Sequence, residues 1–220
     1  YHAIPVITDA YVKGLTYFDT DLALEAMMHS AEMNHLGLNA YRKNGFIGTK
    51  DEPESVSKTL EYAYDDWCIG VFADSLGKDS IANIYYKRAL FYKNLYNPES
   101  KFMEPKFNGA FKADFRPDEV TFDYTEANSW QYSLFAPQDF TGLVELIGGP
   151  DSLENWLDRL FTSNSKTVGR HQVDITGLIG QYAHGNEPSH HMAYLYNYTK
   201  SGYKAQEYIY KILTELYSNT

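Results

Sequence analysis

The stretch from Ser55 to Gly77 constrains the fold most, because its apolar side chains recur at the spacing of one α-helix face for about six turns. Ser55 is a favourable residue at the start of a helix, and Gly77 is favourable just beyond its end. The pattern therefore predicts one long helix over residues 56–76, with the following inward positions: Val56, Leu60, Ala63, Trp67, Val71 and Leu76.

The same spacing predicts helices elsewhere in the chain. Residues 20–34 follow the capping residues Asp19, Thr20 and Asp21, and residues 79–95 begin with Asp79. The predicted inward positions of the second segment are Ile81, Ile84, Tyr85, Ala89 and Leu95. Further helices are expected over residues 125–134, 140–147, 153–161 and 203–217, with breaks at residues 148–150 and 201–202.

The arrangement of these segments indicates the fold class. Residues 98–124 carry Pro and Gly among aromatic residues, which predicts an irregular loop with short strands at most. About eight helices without strand–helix–strand alternation predict an all-α fold. Because polar motifs recur at helix starts and in loops, we expect helix hairpins that form part of an α/α toroid rather than a four-helix bundle.

Composition excludes several classes of protein. The chain is 44% hydrophobic, which suffices for a packed core, and its net charge of −10 argues against nucleic acid and anionic membrane surfaces as partners. No apolar run is long enough to cross a bilayer. Cys68 is the only cysteine, so the chain can form neither an intrachain disulfide nor a thiolate zinc cluster. Because it opens on patterned sequence without an initiator Met, we expect a segment of a longer protein.

Residues 181–196 hold three of the seven histidines together with Glu187. Glu187 lies between Gly185 and Pro188, which predicts a junction between a loop and a helix, with Asn186 and Ser189 as caps. An acid beside imidazoles and aromatic rings can keep a proton for donation, so Glu187 is the predicted general acid. The alternative is that it only complements the helix dipole. The predicted substrate contacts around it are His184, Asn186, His190 and His191.

A second cluster is Asp65, Asp66 and Trp67 on the long helix. Carboxylates accept hydrogen bonds from sugar hydroxyl groups and an indole covers an apolar sugar face, so all three are candidate substrate contacts. Adjacent helix positions point about 100° apart, so at most one of the two acids can face the same pocket as Tyr62. A solvated acid pair beside a core Trp67 is an equally good interpretation.

The third cluster spans residues 123–139. Thr125 is a predicted helix cap, and Glu126, Trp130 and Gln131 offer polar and stacking groups for a substrate. Glu126 is also simply favourable at a helix start.

Two Glu-x-x-His spacings, Glu32 to His35 and Glu187 to His190, match the pattern of di-metal carboxylate bundles. Pro188 interrupts the second copy, so the match is weak. The sequence assigns no metal ligands.

Four motifs together resemble glycoside hydrolase family 92, the calcium-dependent exo-acting α-mannosidases. The first three are Tyr1-His-Ala-Ile-Pro-Val-Ile-Thr-Asp-Ala-Tyr-Val-Lys-Gly14, the Ser55–Trp67 run that ends in Tyr-Asp-Asp-Trp, and Asp123-Tyr-Thr-Glu126 with Trp130 and Tyr132. The fourth is Gly180-Gln-Tyr-Ala-His-Gly-Asn-Glu-Pro-Ser-His-His191. The resemblance implies a segment of an (α/α)6 catalytic domain over residues 1–220, preceded in the full protein by a β-sandwich domain.

The resemblance also implies an activity. We expect hydrolysis of terminal α-linked mannose from glycans, including N-glycans, with inversion, by an enzyme of α-1,2 type that uses Ca²⁺ and acts in the periplasm or outside the cell. Glu187 matches the family's general acid. The general base and a Gly-Gln-Met-Ser motif that helps to hold calcium are expected downstream of Thr220.

Two motifs depart from the family pattern. The chain has Ala127 where the family usually has Gly, and Gln138 where the family has His in a Val-Pro-His-Asp motif. Gln138 is therefore a further candidate substrate contact. The exchange also suggests an alternative function, a glycan-binding protein without turnover.

Overall fold

The computed structural model describes residues 1–164 and 166–218, which fall into two compact units. The first unit comprises residues 1–95, 105–110 and 136–138, and the second comprises residues 96–104, 111–135 and 139–220, as far as they are described. The helices of the first unit are α1 (Ala3–Val12), α2 (Thr20–Glu32), α3 (Leu38–Asn44), α4 (Ser55–Ser75), α5 (Asp79–Arg88) and a 3₁₀ helix (Phe91–Leu95).

Helix α4 forms the centre of the first unit. Its inward residues include Cys68, Ile69 and Phe72, which pack against Ile4 of α1 and Leu24 of α2. The burial of these apolar side chains supplies the main driving force for this packing. Helix α2 begins as predicted, because the side chain of its N-cap, Asp19, accepts a hydrogen bond of 3.0 Å from the backbone N–H of Leu22.

The second unit combines short strands with helices. Its helices are α6 (Ser129–Tyr132), α7 (Phe140–Ile147), α8 (Pro150–Thr162), α9 (Tyr203–Glu215) and 3₁₀ helices Glu187–Ser189 and Met192–Tyr198. Strand β1 (Tyr96–Asn97) pairs antiparallel with β2 (Phe102–Met103), β5 (Glu119–Val120) pairs parallel with β6 (Val168–Gly169), and β7 (Leu178–Ile179) pairs antiparallel with β8 (Tyr182–Ala183). Strand β3 (Lys106–Phe107) lies in the first unit, and β4 (Ala110–Phe111) follows it where the chain passes from the first unit to the second.

The helical fold class and most helix positions agree with the sequence predictions. Every strand has two residues, so the predicted loop over residues 98–124 is confirmed. The helix predicted over residues 79–95 stops at Arg88 and resumes as a 3₁₀ helix. Ile84, which was predicted to face inward, is 57% exposed, because Ala82 and Tyr85 supply the buried face of α5.

The helix predicted over residues 125–134 is only one turn long, and its cap is Asn128 rather than Thr125. Glu126 has a left-handed backbone conformation, at φ 53°, and a helix cannot continue through it. Helices α1 and α3 were missed. Pro5 in the first turn masks α1, although proline is tolerated there, and α3 is a short helix between Gly37 and Gly45, both left-handed. No helix within the described ranges is both long and apolar enough to cross a membrane.

Candidate active site

Glu187 lies at the start of a 3₁₀ turn in the second unit, and its side chain is exposed. The turn is closed through the backbone, because the N–H of His190 donates to the carbonyl of Glu187 at 3.0 Å and the N–H of Ser189 donates to Asn186 at 3.1 Å. Neither predicted cap, Asn186 or Ser189, forms a side-chain capping bond. Within the described residues the Glu187 carboxyl is not buried, so the structure does not show the desolvation that would help it to keep a proton. Its role as general acid stays a prediction.

The chain before Glu187 is held against neighbouring backbone at two glycines. Gly180, at φ 61°, forms the turn between β7 and β8, and a Cβ there would collide with the carbonyl of Leu160. A Cβ on Gly185 would collide with the Thr176 hydroxyl and lie 2.7 Å from the carbonyl of Asp174. Both positions therefore require glycine, and they fix where the Glu187 turn leaves the hairpin.

The imidazole of His184 lies between two tyrosines. Its Nδ1 is 2.8 Å from the hydroxyl of Tyr182 and its Nε2 is 2.6 Å from that of Tyr217, while the ring stacks on His190 at 4.9 Å. Burial lowers the pKa of His184, and His190 lowers it further. A neutral His184 suits these contacts, because one nitrogen can donate and the other can accept.

The other two histidines are fixed by backbone carbonyls. His190 Nε2 donates to the carbonyl of His184 at 2.9 Å, and His191 Nε2 donates to that of Leu134 at 2.8 Å. The His191 ring also stacks on Phe140 at 5.6 Å, and burial lowers its pKa. His184, His190 and His191 thus belong to the same structured segment as Glu187.

Two buried amides connect this segment to the region around α6. Asn186 Nδ2 donates to the carbonyl of Glu126 at 3.0 Å, so the left-handed residue Glu126 is tied to the Glu187 turn. Gln181 Nε2 donates to the carbonyl of Asn164 at 2.7 Å, and Gln181 Oε1 accepts from Asn128 Nδ2 at 3.0 Å. Sequence reasoning missed Gln181; the signal was a long amide at the second position of the Gly180–His191 motif.

Trp130 packs in the interior of the second unit. The ring is 5% exposed, lies 4.6 Å edge-on from Phe102 and 5.0 Å from Trp156, and has the Arg159 guanidinium 5.4 Å from its centroid. Its edge reaches a cavity of about 430 Å³ that Gln181 also lines. These contacts give Trp130 a core role, and its predicted role in sugar binding is untested.

The predicted acid pair lies in the first unit, on α4, and both acids are buried. Asp66 accepts hydrogen bonds from the Tyr1 hydroxyl at 2.7 Å, the Tyr41 hydroxyl at 2.9 Å and Arg88 Nε at 2.8 Å. Burial raises the pKa of Asp66 to about 6, although Arg88 opposes the shift. Asp66 is therefore the member of the pair that side-chain hydrogen bonds hold in the interior of the unit.

Asp65, Trp67 and Gln138 have different surroundings in the same unit. Asp65 is 1% exposed and its Oδ2 lies 3.1 Å from Nδ1 of His2. Trp67 is half-buried and stacks on Tyr64 at 6.0 Å. Gln138 Nε2 donates to the carbonyl of Ala89 at 3.1 Å, and its buried Oε1 has no hydrogen-bond partner among the described residues.

A calcium site requires six to eight oxygen ligands around one point. Within residues 1–164 and 166–218, no group of three or more His, Cys, Asp or Glu side chains is placed to hold a metal ion. Asp65 and Asp66 already face cationic or hydroxyl groups, Asp65 through His2 and Asp66 through Arg88 and Tyr1. The described residues therefore contain no cluster of acidic side chains that could hold calcium by itself, and they give no support to a di-metal site built on the two Glu-x-x-His spacings.

Comparison with known proteins identifies the class. The chain matches the model of the glycosyl hydrolase family 92 catalytic domain over residues 1–220, and it belongs to this family. It superimposes on a family 92 α-mannosidase of Bacteroides thetaiotaomicron, solved in complex with mannoimidazole, with a TM-score of 0.92 and 40% sequence identity. A second solved structure, an inverting mannosidase of the same organism, has a TM-score of 0.87 and 36% identity.

The match covers all of this chain but a limited part of its relatives. It spans 100% of the chain against 30% of the first mannosidase, and 99% against 32% of the second. A secreted glycosidase of Arthroderma benhamiae is 29% identical over 88% of the chain and 28% of its own length. The chain thus spans about a third of the length of these relatives.

Proposed function

We propose that the protein hydrolyses terminal α-linked mannose from glycans with inversion of configuration. The observation that carries the proposal is the alignment of the entire chain with two mannosidases at 36–40% identity, one of them named as inverting. The Glu187 motif and the Asp65–Trp67 motif both lie within this alignment. The two units would belong to one (α/α)6 catalytic domain.

In this proposal Glu187 protonates the departing glycosidic oxygen. Its exposure on a turn held by backbone bonds is compatible with access to a bound glycan. Inversion needs a second carboxylate roughly 6.5–9.5 Å away, with space for water between the two acids. We propose that this base belongs to a part of the protein outside residues 1–220.

The finer features of the proposal are the cofactor, the linkage and the compartment. We propose that Ca²⁺ binds in the complete protein through ligands that this chain does not group together, where it would grip hydroxyl groups of the sugar. The proposed substrates are α-1,2-linked mannosides such as those of N-glycans. A periplasmic or extracellular location is proposed because the Arthroderma relative is described as secreted.

The decisive experiment is NMR of the full-length protein acting on an α-1,2-mannobioside with calcium present. We expect β-mannose as the first anomer, followed by slow mutarotation. Release of α-mannose first would contradict inversion, and absence of any turnover would contradict hydrolysis. A control with an α-glucoside of the same linkage separates mannose specificity from general glycosidase activity.

The alternative is glycan binding without cleavage, which rested on Gln138. The Gln138 amide nitrogen is engaged with the carbonyl of Ala89, so part of this side chain serves the structure of the first unit. The two functions differ in one measurement: calorimetry would detect mannoside binding in both, but only the hydrolase would release mannose. Turnover of the mannobioside removes this alternative.

A further inference from the structure

His2 makes an unusual set of contacts at the start of α1. Its Nδ1 lies 3.1 Å from Asp65 Oδ2, and its Nε2 lies 3.3 Å from Glu61 Oε2. Both acids project from α4, one turn apart. These are ion-pair distances, and only the doubly protonated ring carries the positive charge that both carboxylates attract. No group among the described residues donates a hydrogen bond to Asp65 Oδ2, so this oxygen can still accept one.

Burial makes the Asp65 contact important. Asp65 is 1% exposed, whereas the side chain of His2 is 60% exposed and that of Glu61 is 25% exposed. An ionised carboxylate at that depth is costly unless a counter-charge faces it. His2 therefore supplies the counter-charge for the buried Asp65 carboxylate.

His2 and its neighbouring carboxylates each favour the charged form of the other. Contact with Asp65 raises the pKa of His2, against the opposing effect of burial, and Glu61 raises it further. Burial raises the pKa of Asp65, and His2 opposes that shift. The other titratable groups facing Asp65 are the neutral side chains of Tyr41, Tyr62, Tyr64 and Cys68.

We propose that His2 is a positioning residue: as an imidazolium held by Glu61 and Asp65, it keeps the Asp65 carboxylate charged and oriented to accept a hydrogen bond from a sugar hydroxyl group. The inference rests on the proposed mannosidase function and on Asp65 as a substrate contact. It assigns a role to the second residue of the Tyr1–Gly14 motif, which the sequence reasoning left without one.

The test compares His2→Gln, His2→Arg and the control His29→Gln in the full-length protein, with KM and kcat measured from about pH 5 to about pH 9. His29 is an exposed histidine on α2 of the same unit. We expect His2→Gln to raise KM roughly tenfold near pH 6 with a smaller change in kcat, since one charge-assisted contact is lost. His29→Gln should match the wild type.

His2→Arg separates positioning from a merely structural role. The KM of the wild type should rise at alkaline pH as His2 loses its proton, whereas the arginine variant should keep a low KM there. If His2→Gln leaves KM unchanged or lowers it, or if the arginine variant shows the same alkaline rise as the wild type, the proposal is overturned. If the wild type does not hydrolyse mannosides, the proposed function itself fails, which is a different result.

Discussion

Asp66 and Glu187 are both acids in motifs that resemble the family, yet their surroundings are opposite. Asp66 is buried on α4 among three side-chain donors, whereas Glu187 is exposed on a 3₁₀ turn that backbone bonds and Gly185 fix in place. An acid held by side chains is sensitive to the loss of any partner. An acid on a backbone-held turn can be replaced with little effect on the fold, so its chemistry can be tested separately.

The largest expected effect is on catalysis at Glu187. Glu187→Gln in the full-length protein keeps size and hydrogen bonding but cannot donate a proton. We expect kcat to fall by roughly 10²–10⁴ for an α-mannobioside, and much less for an aryl mannoside whose leaving group needs little protonation. Thermal stability should change little because the side chain is exposed.

The matched control is Glu207→Gln, since Glu207 is an exposed acid on α9 of the same unit. It should leave kcat unchanged for both substrates. Equal slowing of the two substrates by Glu187→Gln would mark Glu187 as a binding or structural residue and would remove its assignment as general acid.

The next effect is on stability at the buried acid. Arg88→Met removes the cation 2.8 Å from Asp66 and leaves the carboxylate without its counter-charge. We expect the free energy of unfolding to fall by about 3–5 kcal/mol. Lys87→Met, at the neighbouring exposed position of α5, is the control and should change it by less than about 0.5 kcal/mol.

The pH dependence of this loss has a definite sign. Arg88 lowers the pKa of Asp66, so the variant should have a pKa above the value of about 6 in the wild type. Below about pH 6 the carboxyl is protonated in both folded proteins, so its ionisation adds nothing to the deficit; the deficit grows as pH rises from about 6 toward the higher folded pKa of the variant. Denaturant titrations should show the smallest deficit near pH 4 and the largest above about pH 7. A constant deficit would contradict this account of Asp66.

A smaller effect is expected where glycine fixes the Glu187 turn. Gly185→Ala places a Cβ against the Thr176 hydroxyl and 2.7 Å from the Asp174 carbonyl, so the turn must shift. We expect a loss of about 1–3 kcal/mol in stability together with reduced kcat. Gly202→Ala is the control, because its φ is −53° and its nearest neighbouring atom lies 3.3 Å away. Full activity of Gly185→Ala would show that the turn does not position Glu187.

The difference between local and long-range contacts explains what the sequence could predict. The 3.6-residue spacing of α4 and the Asp19 cap are local signals, and both helices were predicted close to their observed bounds. Ile84 was misplaced because an apolar residue fits either face until the packing partner is known. The helix predicted from Thr125 was shortened by the left-handed Glu126, which Asn186 fixes from 60 residues away. The burial of Asp65 and Asp66 also depends on such long-range partners.

The smallest expected effect is a difference in pKa between histidines of the two units. An NMR titration that follows the imidazole Cε1–H signals would measure it. Carboxylates face His2 and raise its pKa, whereas burial lowers the pKa of His184 and of His191, whose nitrogens contact hydroxyl groups and a carbonyl. His2 should therefore titrate at a higher pH than either of the other two. Asp65→Asn should lower the His2 midpoint and leave those of His184 and His191 unchanged. A His2 midpoint at or below theirs would show that the carboxylates do not stabilise the imidazolium of His2. The proposed difference in charge between His2 and the two histidines of the second unit would then be wrong.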